Sequence, residues 1–197
     1  MSGIIGDNVG RSGGLIKAAD AGGDLVLIAS TTIDSEVSSV DFTSGIDATY
    51  KTYKVAWYNI KFYEAGDDNY YFLFQFYIGG AFITADYNSI VEDLYYTGSG
   101  SGVSTGTETS GIACTYGLSF GAEAANDGFV EFNNPTDTTF HKNVVGISAG
   151  TGNAGGTAHS RVGGHYDGTP AVVTGCRILA QPSASFGAGT VSLYGFK

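Results

Sequence analysis

The alternation of side chains from Tyr71 to Ile78 constrains the fold of this chain more than any other feature of its sequence. Successive residues of a strand point to opposite faces of a sheet. One face of this stretch carries Phe72, Phe74, Phe76 and Ile78, and the other carries Tyr71, Leu73, Gln75 and Tyr77. Turn residues stand on both sides, Gly66-Asp67-Asp68-Asn69 before the stretch and Gly79-Gly80 after it. The sequence therefore predicts a strand whose Phe/Ile face points into the main core.

Further short runs predict a chain made almost entirely of strands. The other candidates are Leu25 to Ser30, Val37 to Phe42, Tyr50 to Phe62, Ile112 to Phe120, Gly128 to Phe132, Phe140 to Ile147, Ala158 to Tyr166, Ala171 to Ala180 and Thr190 to Phe196. In the third of these, Tyr53, Val55 and Trp57 share a face, and Asn59-Ile60 predicts a bulge or strand end. The 13 Tyr, 12 Phe and 31 Gly of the chain suit pleated surfaces and turns. Many short strands without a long amphipathic helix indicate a sandwich or a barrel.

Three segments are predicted to lie outside strands. Asn126-Asp127-Gly128 is a strong signal for a tight hairpin turn. Ser89 to Tyr96 fits either a short helix or an irregular crossing. Thr97 to Gly111 is rich in Gly, Ser and Thr and nearly free of apolar residues, so we expect a mobile loop that faces solvent.

The first 23 residues differ from the rest and predict an attachment arm in front of a β-domain at 24–197. These residues include seven Gly, and the apolar side chains Ile4, Ile5, Val9, Leu15 and Ile16 are scattered among them. Such a segment cannot bury enough surface to fold alone, and its apolar spacing favours docking on another protein. The N-terminus has no basic region followed by an apolar run, so we expect a soluble protein without a secretory signal.

Charge and cysteine content exclude several function classes. Asp and Glu outnumber Lys and Arg by 19 to 9, and the net charge of −10 repels phosphate backbones. We therefore expect no nucleic-acid partner. Cys114 and Cys176 lie in apolar runs without metal or redox spacing, which favours small buried hydrophobic residues over a disulfide or a metal pair.

The motifs that resemble catalytic or metal sites are each explained more simply by β structure. Gly117 to Gly121 matches Gly-x-Ser-x-Gly, but no helix follows Ser119, as a nucleophile elbow requires. His159, Arg161 and His165 share a strand face and Asp167 is near in sequence, yet the two His residues are ~20 Å apart along an extended strand. This spacing favours a solvated or inter-subunit face over a metal site.

The acidic turn before the Phe strand also lacks a complete ligand pattern. Asp67 and Asn69 alternate like the first oxygen ligands of a calcium loop, but Phe72 replaces its Gly and Ile78 replaces its Glu. We interpret Asp67 and Asp68 as turn residues. The sequence thus predicts no catalytic residue, no metal and no cofactor.

The abundance of Tyr suggests an exposed binding surface. Side chains of Tyr in contact with solvent contribute both to protein interfaces and to sugar stacking. The alternative is that about half of them are ordinary half-buried strand residues. The candidates for surface binding are Tyr58, Tyr71, Tyr77, Tyr95 and Tyr96.

Several segments of the chain together form a recognisable pattern. The head, residues 3–18, reads GIIGDNVGRSGGLIKA, residues 40–42 and 45–53 read VDF and GIDATYKTY, residues 132–135 read FNNP, and the end, residues 189–197, reads GTVSLYGFK. These segments resemble small structural proteins of tailed bacteriophages, as found in marine and freshwater phages. The resemblance implies an antiparallel jelly-roll-like β-sandwich that is oligomeric and often trimeric. The arm residues Ile4, Ile5, Asn8, Arg11, Leu15 and Ile16 are then expected to hold the chain to a neighbouring subunit or to another virion protein.

The function that this resemblance implies is structural and not enzymatic. We expect a protein made in the host cytoplasm and displayed on the virion surface, without membrane insertion, as a short tail fibre, a tail knob or a capsid decoration protein. The absence of a shaft repeat departs from a long fibre. The alternative is a receptor- or carbohydrate-binding module that contacts a host surface glycan during adsorption.

Overall fold

The computed structural model describes residues 25–63, 71–96, 101–115, 124–151, 156–181 and 184–196, which form thirteen strands and no helix. The strands are β1 (Leu25–Ile33), β2 (Ser39–Phe42), β3 (Thr52–Phe62), β4 (Tyr71–Ile78), β5 (Ala81–Phe82), β6 (Tyr87–Tyr96), β7 (Ser101–Glu108), β8 (Ile112–Ala113), β9 (Asn126–Asn133), β10 (Lys142–Thr151), β11 (Thr157–Tyr166), β12 (Val173–Gln181) and β13 (Phe186–Phe196). The predicted strands are therefore present, although Ile112 to Phe120 is reduced to the two residues of β8 in its described part. No helix in these residues is long and apolar enough to cross a membrane.

The strands form two antiparallel sheets packed as a sandwich. The larger sheet has eight strands in the order β1-β13-β3-β9-β10-β11-β6-β7. The smaller sheet has the order β2-β12-β4-β5, and β8 also pairs with β4. The first four strands alternate between the sheets, and the last two insert between them, giving β1-β13-β3 in one sheet and β2-β12-β4 in the other. This is the winding of a jelly roll, so the predicted jelly-roll-like β-sandwich is confirmed, and β10, β11, β6 and β7 extend one sheet beyond it.

The predicted Phe face of β4 forms the centre of the core. Phe72, Phe74 and Phe76 are each 0% exposed. The Phe72 ring meets Trp57 of β3 edge-on at 4.9 Å between centroids, and Phe76 meets Phe132 of β9 at 5.2 Å. Aromatic rings prefer such edge-to-face contacts because their electron-rich faces attract the positive edges of their neighbours.

The opposite face of β4 is also covered, which its alternating pattern did not predict. On this opposite face, Leu73 and Gln75 are each 1% exposed. On the Phe face, by contrast, Ile78 at the end of the strand is only half-buried. The Gln75 side chain donates a hydrogen bond to the carbonyl of Ser110 at 2.6 Å and accepts one from Arg177 at 2.7 Å. Because its amide is bonded at both ends, a polar residue is tolerated at this buried position.

The expectation of a loop at Thr97 to Gly111 and of a helix or irregular crossing at Ser89 to Tyr96 was wrong. All of the second segment lies in β6, and Ser101–Glu108 of the first forms β7, paired with β6 over its whole length. A sheet edge supplies backbone hydrogen-bond partners to any extended chain beside it, so a segment poor in apolar residues can add a strand. Residues 97–100 lie outside the described ranges.

The expectation of a hairpin turn at Asn126-Asp127-Gly128 was also wrong, because these residues open β9. Gly128 pairs with both neighbouring strands, and a Cβ there would lie 2.7 Å from the Trp57 ring and 2.5 Å from the carbonyl of Ile147. The Trp57 indole donates a hydrogen bond to the Asn126 side chain at 2.7 Å. Close packing and a buried hydrogen bond therefore explain residues that local pattern assigns to a turn.

The bulge predicted at Asn59-Ile60 is confirmed. Asn59 has a φ of 52°, and the register between β3 and β9 shifts between Trp57 and Ile60. The backbone N–H of Asn59 donates to the Asp127 carboxylate at 2.6 Å, which satisfies a donor that the disrupted ladder leaves free.

Candidate interaction surface

Several predicted site residues lie outside the described part of the chain. These are the arm residues Ile4, Ile5, Asn8, Arg11, Leu15 and Ile16, the motif residue Ser119, and the turn residues Asp67, Asp68 and Asn69. Their roles stay predictions. The described chain starts at Leu25 in β1, which is an edge strand of the eight-stranded sheet.

The candidate Tyr residues are spread over both sheets and do not form one site. Tyr58 and Tyr96 lie on the larger sheet and are 46% and 57% exposed. Tyr71 and Tyr77 are half-buried on β4, where the Tyr71 hydroxyl donates to Glu108 at 2.8 Å and the Tyr77 ring packs 4.8 Å from Phe82. The side chain of Tyr95 is outside the description. Of the candidates whose side chains the structure describes, only Tyr58 and Tyr96 are exposed enough for stacking on a partner.

The two His residues of β11 are His159 and His165, and His165 has another His as its neighbour. His165 lies beside His141, with 5.9 Å between ring centroids. One carboxylate oxygen of Asp167 is 3.6 Å from Nε2 of His165 and 4.0 Å from Nε2 of His141. Sequence reasoning missed His141 because pairing of β10 with β11 brings it there from 24 positions away. No group of His, Cys, Asp and Glu in the described ranges is arranged to hold a metal ion.

The cysteines fit the interpretation as small buried hydrophobic residues. Cys114 and Cys176 are free thiols, each 0% exposed. Burial raises the pKa of both thiols far above its ordinary value, because a thiolate is poorly solvated there. Since the thiolate is the reactive form, neither cysteine is suited to nucleophilic or redox chemistry.

The outer face of the eight-stranded sheet carries most of the exposed apolar surface. Of eleven exposed large apolar side chains among the described residues, eight lie on this face by their strand parity. These are Leu25, Leu27, Tyr58, Ile90, Leu94, Tyr96, Val145 and Ile147. Monomeric proteins rarely leave so much apolar surface in water, so this face is the candidate interaction surface.

One row of paired residues crosses the whole outer face and combines aliphatic side chains with one ion pair. It runs Leu27, Tyr194, Lys54, Glu131, Val145, Gly163, Ile90 and Thr107 from β1 to β7. The signal was present in the sequence, since Val144-Val145 and Ile90-Val91 place apolar side chains on both faces of a strand. Such strands are typical of sheets covered on both sides.

The charged side chains of the outer face are paired across neighbouring strands. Lys54 Nζ lies 2.9 Å from Glu131 and 3.8 Å above the centre of the Phe129 ring. Arg161 lies 3.4 Å from Glu92. Lys54 and Arg161 therefore each have a carboxylate on a neighbouring strand, and the centre of the face is close to neutral.

The Tyr58 end of this face has a further polar contact. A hydrogen bond with Tyr194 raises the pKa of the Tyr58 hydroxyl, and burial and the Asp127 carboxylate act in the same direction. The hydroxyl therefore stays neutral and is suited to hydrogen bonding rather than to acid–base chemistry.

A cleft at the loop between β9 and β10 is a second, smaller candidate site. It has a volume of about 250 Å³ and is lined by Asn133, Asn134, Asp137, Phe140, His141, Lys142 and Asn143. Phe140 is 70% exposed. One Asp137 carboxylate oxygen accepts hydrogen bonds from the backbone N–H groups of Thr139 and Phe140, at 2.6 and 3.0 Å. These bonds lower the pKa of Asp137 and fix the loop that presents the Phe140 ring.

The floor of this cleft is held by a buried cation. Lys142 is 1% exposed, and its ammonium donates hydrogen bonds to the carbonyls of Asp137 and Phe140. Burial lowers the pKa of Lys142, while the Asp137 carboxylate partly offsets this shift. The cleft thus combines one exposed ring with side-chain amides, and nothing in it resembles a nucleophile with its base.

Comparison with known protein families, with curated proteins and with solved structures found no match for this chain.

Proposed function

We propose that this protein is a non-enzymatic structural protein of a tailed bacteriophage virion. Its N-terminal arm attaches it to other virion proteins, and its jelly-roll-like body is displayed on the particle surface as a short tail fibre, a tail knob or a capsid decoration protein. The observation that carries a structural role is the apolar, nearly neutral outer face of the eight-stranded sheet. The assignment to a phage rests on the resemblance of residues 3–18, 40–42, 45–53, 132–135 and 189–197 to small phage proteins.

The apolar outer face favours assembly with other proteins. Exposed apolar area of this extent is unfavourable in water, at ~25 cal/mol for each Å², and its burial drives protein association. The arm adds a second contact, because it joins the body at the β1 edge of the same sheet. Two contacts on one chain favour a protein that connects neighbours in an assembly, and avidity then makes weak single contacts firm.

Deletion of residues 1–20 is expected to abolish incorporation into particles and to leave the β-domain folded. Ile4, Ile5, Leu15 and Ile16 supply the apolar surface of the arm, and no described strand lies within the deletion. The measurement is the copy number of the chain in purified particles, with thermal unfolding of the isolated protein as the test of folding.

The matched control keeps the arm length and replaces those four residues with Ser, which should give the same loss. Normal occupancy of the truncated chain in particles would contradict the proposed arm. Absence of the intact chain from purified particles would contradict the virion role itself.

A carbohydrate-binding role in host adsorption is the second candidate, favoured by the cleft beside Phe140. Sugar sites combine an exposed aromatic ring with planar amide and carboxylate groups, and this cleft offers the ring with Asn133, Asn134 and Asn143. This set differs from the predicted Tyr residues, of which Tyr58 and Tyr96 lie on the outer face.

Replacement of Phe140 by Ala is expected to weaken glycan binding by at least about tenfold, because stacking on the ring is lost. The measurement is binding of the intact chain to a panel of bacterial surface polysaccharides, with Val172→Ala as an exposed control outside the cleft. A double Tyr58→Ala, Tyr96→Ala variant separates the sites. Loss of binding in that variant alone would move the site to the outer face, and no binding by the intact chain would contradict this candidate.

A further inference from the structure

We infer that the outer face of the eight-stranded sheet binds a second copy of this chain, with a groove over Gly163 at the centre of the contact. This inference rests on the proposed structural role and names the partner of that surface. Three features of the face support a second copy as the partner. They are the space above Gly163, the apolar area around it and the pairing of charges on the face.

The groove lies between two exposed aliphatic side chains. Gly163 of β11 pairs with Val145 on one side and Ile90 on the other, and these two are 58% and 54% exposed. Among the described residues, a Cβ added to Gly163 would meet only the Ile90 Cγ2 atom, at 3.9 Å. The floor of the groove is therefore the bare backbone of β11, and its two walls are aliphatic.

Within the described residues, neither packing nor backbone conformation requires a glycine at this position. Gly146 and Gly164, which face the other way on β10 and β11, are each required by packing, since a Cβ would lie 2.3 and 2.5 Å from a backbone carbonyl. Gly163 has no such contact, and its φ is not positive. Because neither packing nor backbone conformation requires it, the missing side chain leaves room for an atom group from outside.

The area on this face matches what a partner protein needs. The eight apolar residues are spread over this face from β1 to β6, and at their fractional exposures they leave roughly 700 Å² accessible in total, close to the ~800 Å² that each partner contributes to a standard interface. Two such faces can stack as the sheets of a sandwich do, about 10 Å apart, with side chains interdigitating.

The charge pattern favours a second copy over a charged partner. The chain carries a net charge of −10, so two copies repel each other over most of their surface. On this face the pairs Lys54–Glu131 and Arg161–Glu92 cancel locally. The face is therefore where two acidic copies can approach, and it lacks the excess of cations that an anionic polymer or membrane requires.

The test is the solution mass of the intact chain, measured by sedimentation velocity at micromolar concentration. We expect the wild-type chain to be an oligomer. Val145→Glu and Ile90→Glu should each weaken self-association by at least about 100-fold, since an unpaired charge would be buried in an apolar contact. Gly163→Gln should weaken self-association as well, because its side chain would fill the groove. All three variants should remain folded, which a cooperative thermal unfolding transition would show.

Phe140→Glu is the matched control, because it makes the same change in charge at an exposed apolar residue away from this face. It should keep the wild-type mass. A monomeric wild-type chain, or an unchanged mass for Val145→Glu, would overturn the inference.

Loss of oligomers on deletion of residues 1–20 would also overturn it, because association would then run through the arm. If the wild-type chain is monomeric but still present in purified particles, this inference fails and the proposed function stands. If the chain self-associates through this face but is absent from particles, the proposed function fails and this inference stands.

Discussion

Replacement of Phe74 by Ala is expected to lower the free energy of unfolding by about 3–5 kcal/mol. The ring is 0% exposed and lies between Phe76 at 5.0 Å and Phe132 at 5.6 Å, measured between centroids. Its removal forfeits the burial of the ring and leaves a cavity that surrounding aromatic side chains fill only in part. Chemical denaturation of the purified chain measures the loss.

The control is Phe140→Ala, which removes the same ring from a position that is 70% exposed. It should change stability by no more than about 0.5 kcal/mol, as surface substitutions commonly do. If Phe74→Ala does not fold, Phe74→Leu provides a milder test with an expected loss of about 1–2 kcal/mol. A change below about 1 kcal/mol for Phe74→Ala would show that this ring is not central to the core.

Replacement of Asp93 by Asn is expected to stabilise the protein by about 2–3 kcal/mol near pH 8. Asp93 lies on β6, is 3% exposed and faces the interior of the sandwich. Burial raises the pKa of its carboxyl to about 6, and Ser160 and His159 only partly offset this effect. The ionised form is therefore disfavoured in the folded protein, and neutral Asn removes that penalty.

The pH dependence of this effect has a definite sign. Because the folded pKa is above the unfolded value of 3.8, the protonated carboxyl favours folding, and its contribution is fully present below pH 4. That contribution is lost as pH rises through about 6. The stability difference between Asp93→Asn and wild type should therefore grow from pH 4 to pH 7 and then level off.

Urea unfolding at several pH values measures this difference, and Glu36→Gln, an exposed acid between β1 and β2, is the control. The control removes one carboxylate from the surface, so it measures the general effect of charge removal in this acidic chain. Destabilisation by Asp93→Asn that is constant from pH 4 to pH 8 would show that the carboxylate is ionised and well stabilised in the folded protein.

The sequence by itself determined the secondary structure where the pattern is local. Phe72, Phe74 and Phe76 lie two positions apart, and a strand necessarily puts such residues on one face. The same alternation put Tyr53, Val55 and Trp57 on one face of β3, which is buried in the structure, and the bulge at Asn59 was anticipated as well. Period and turn chemistry are properties of neighbouring residues, so they can be read without knowing what the strand packs against.

The tertiary structure decided everything that depends on which strands become neighbours. Ser101–Glu108 is a strand because β6 offers it a ladder of hydrogen bonds, and Gly128 stands in a strand because Trp57 crosses it closely. Pairing of β10 with β11 also set His141 beside His165, far apart in sequence.

The candidate interaction surface belongs to the same class of features. Val145 and Ile90 look like ordinary strand residues in the sequence, and Gly163 looks like one of many glycines. Only the register across β10, β11 and β6 places Gly163 between Val145 and Ile90, so that these three residues form the groove. A sequence fixes the direction of each side chain relative to its own strand, but the order and register of the strands, which are set by packing of the whole core, decide what lies beside it.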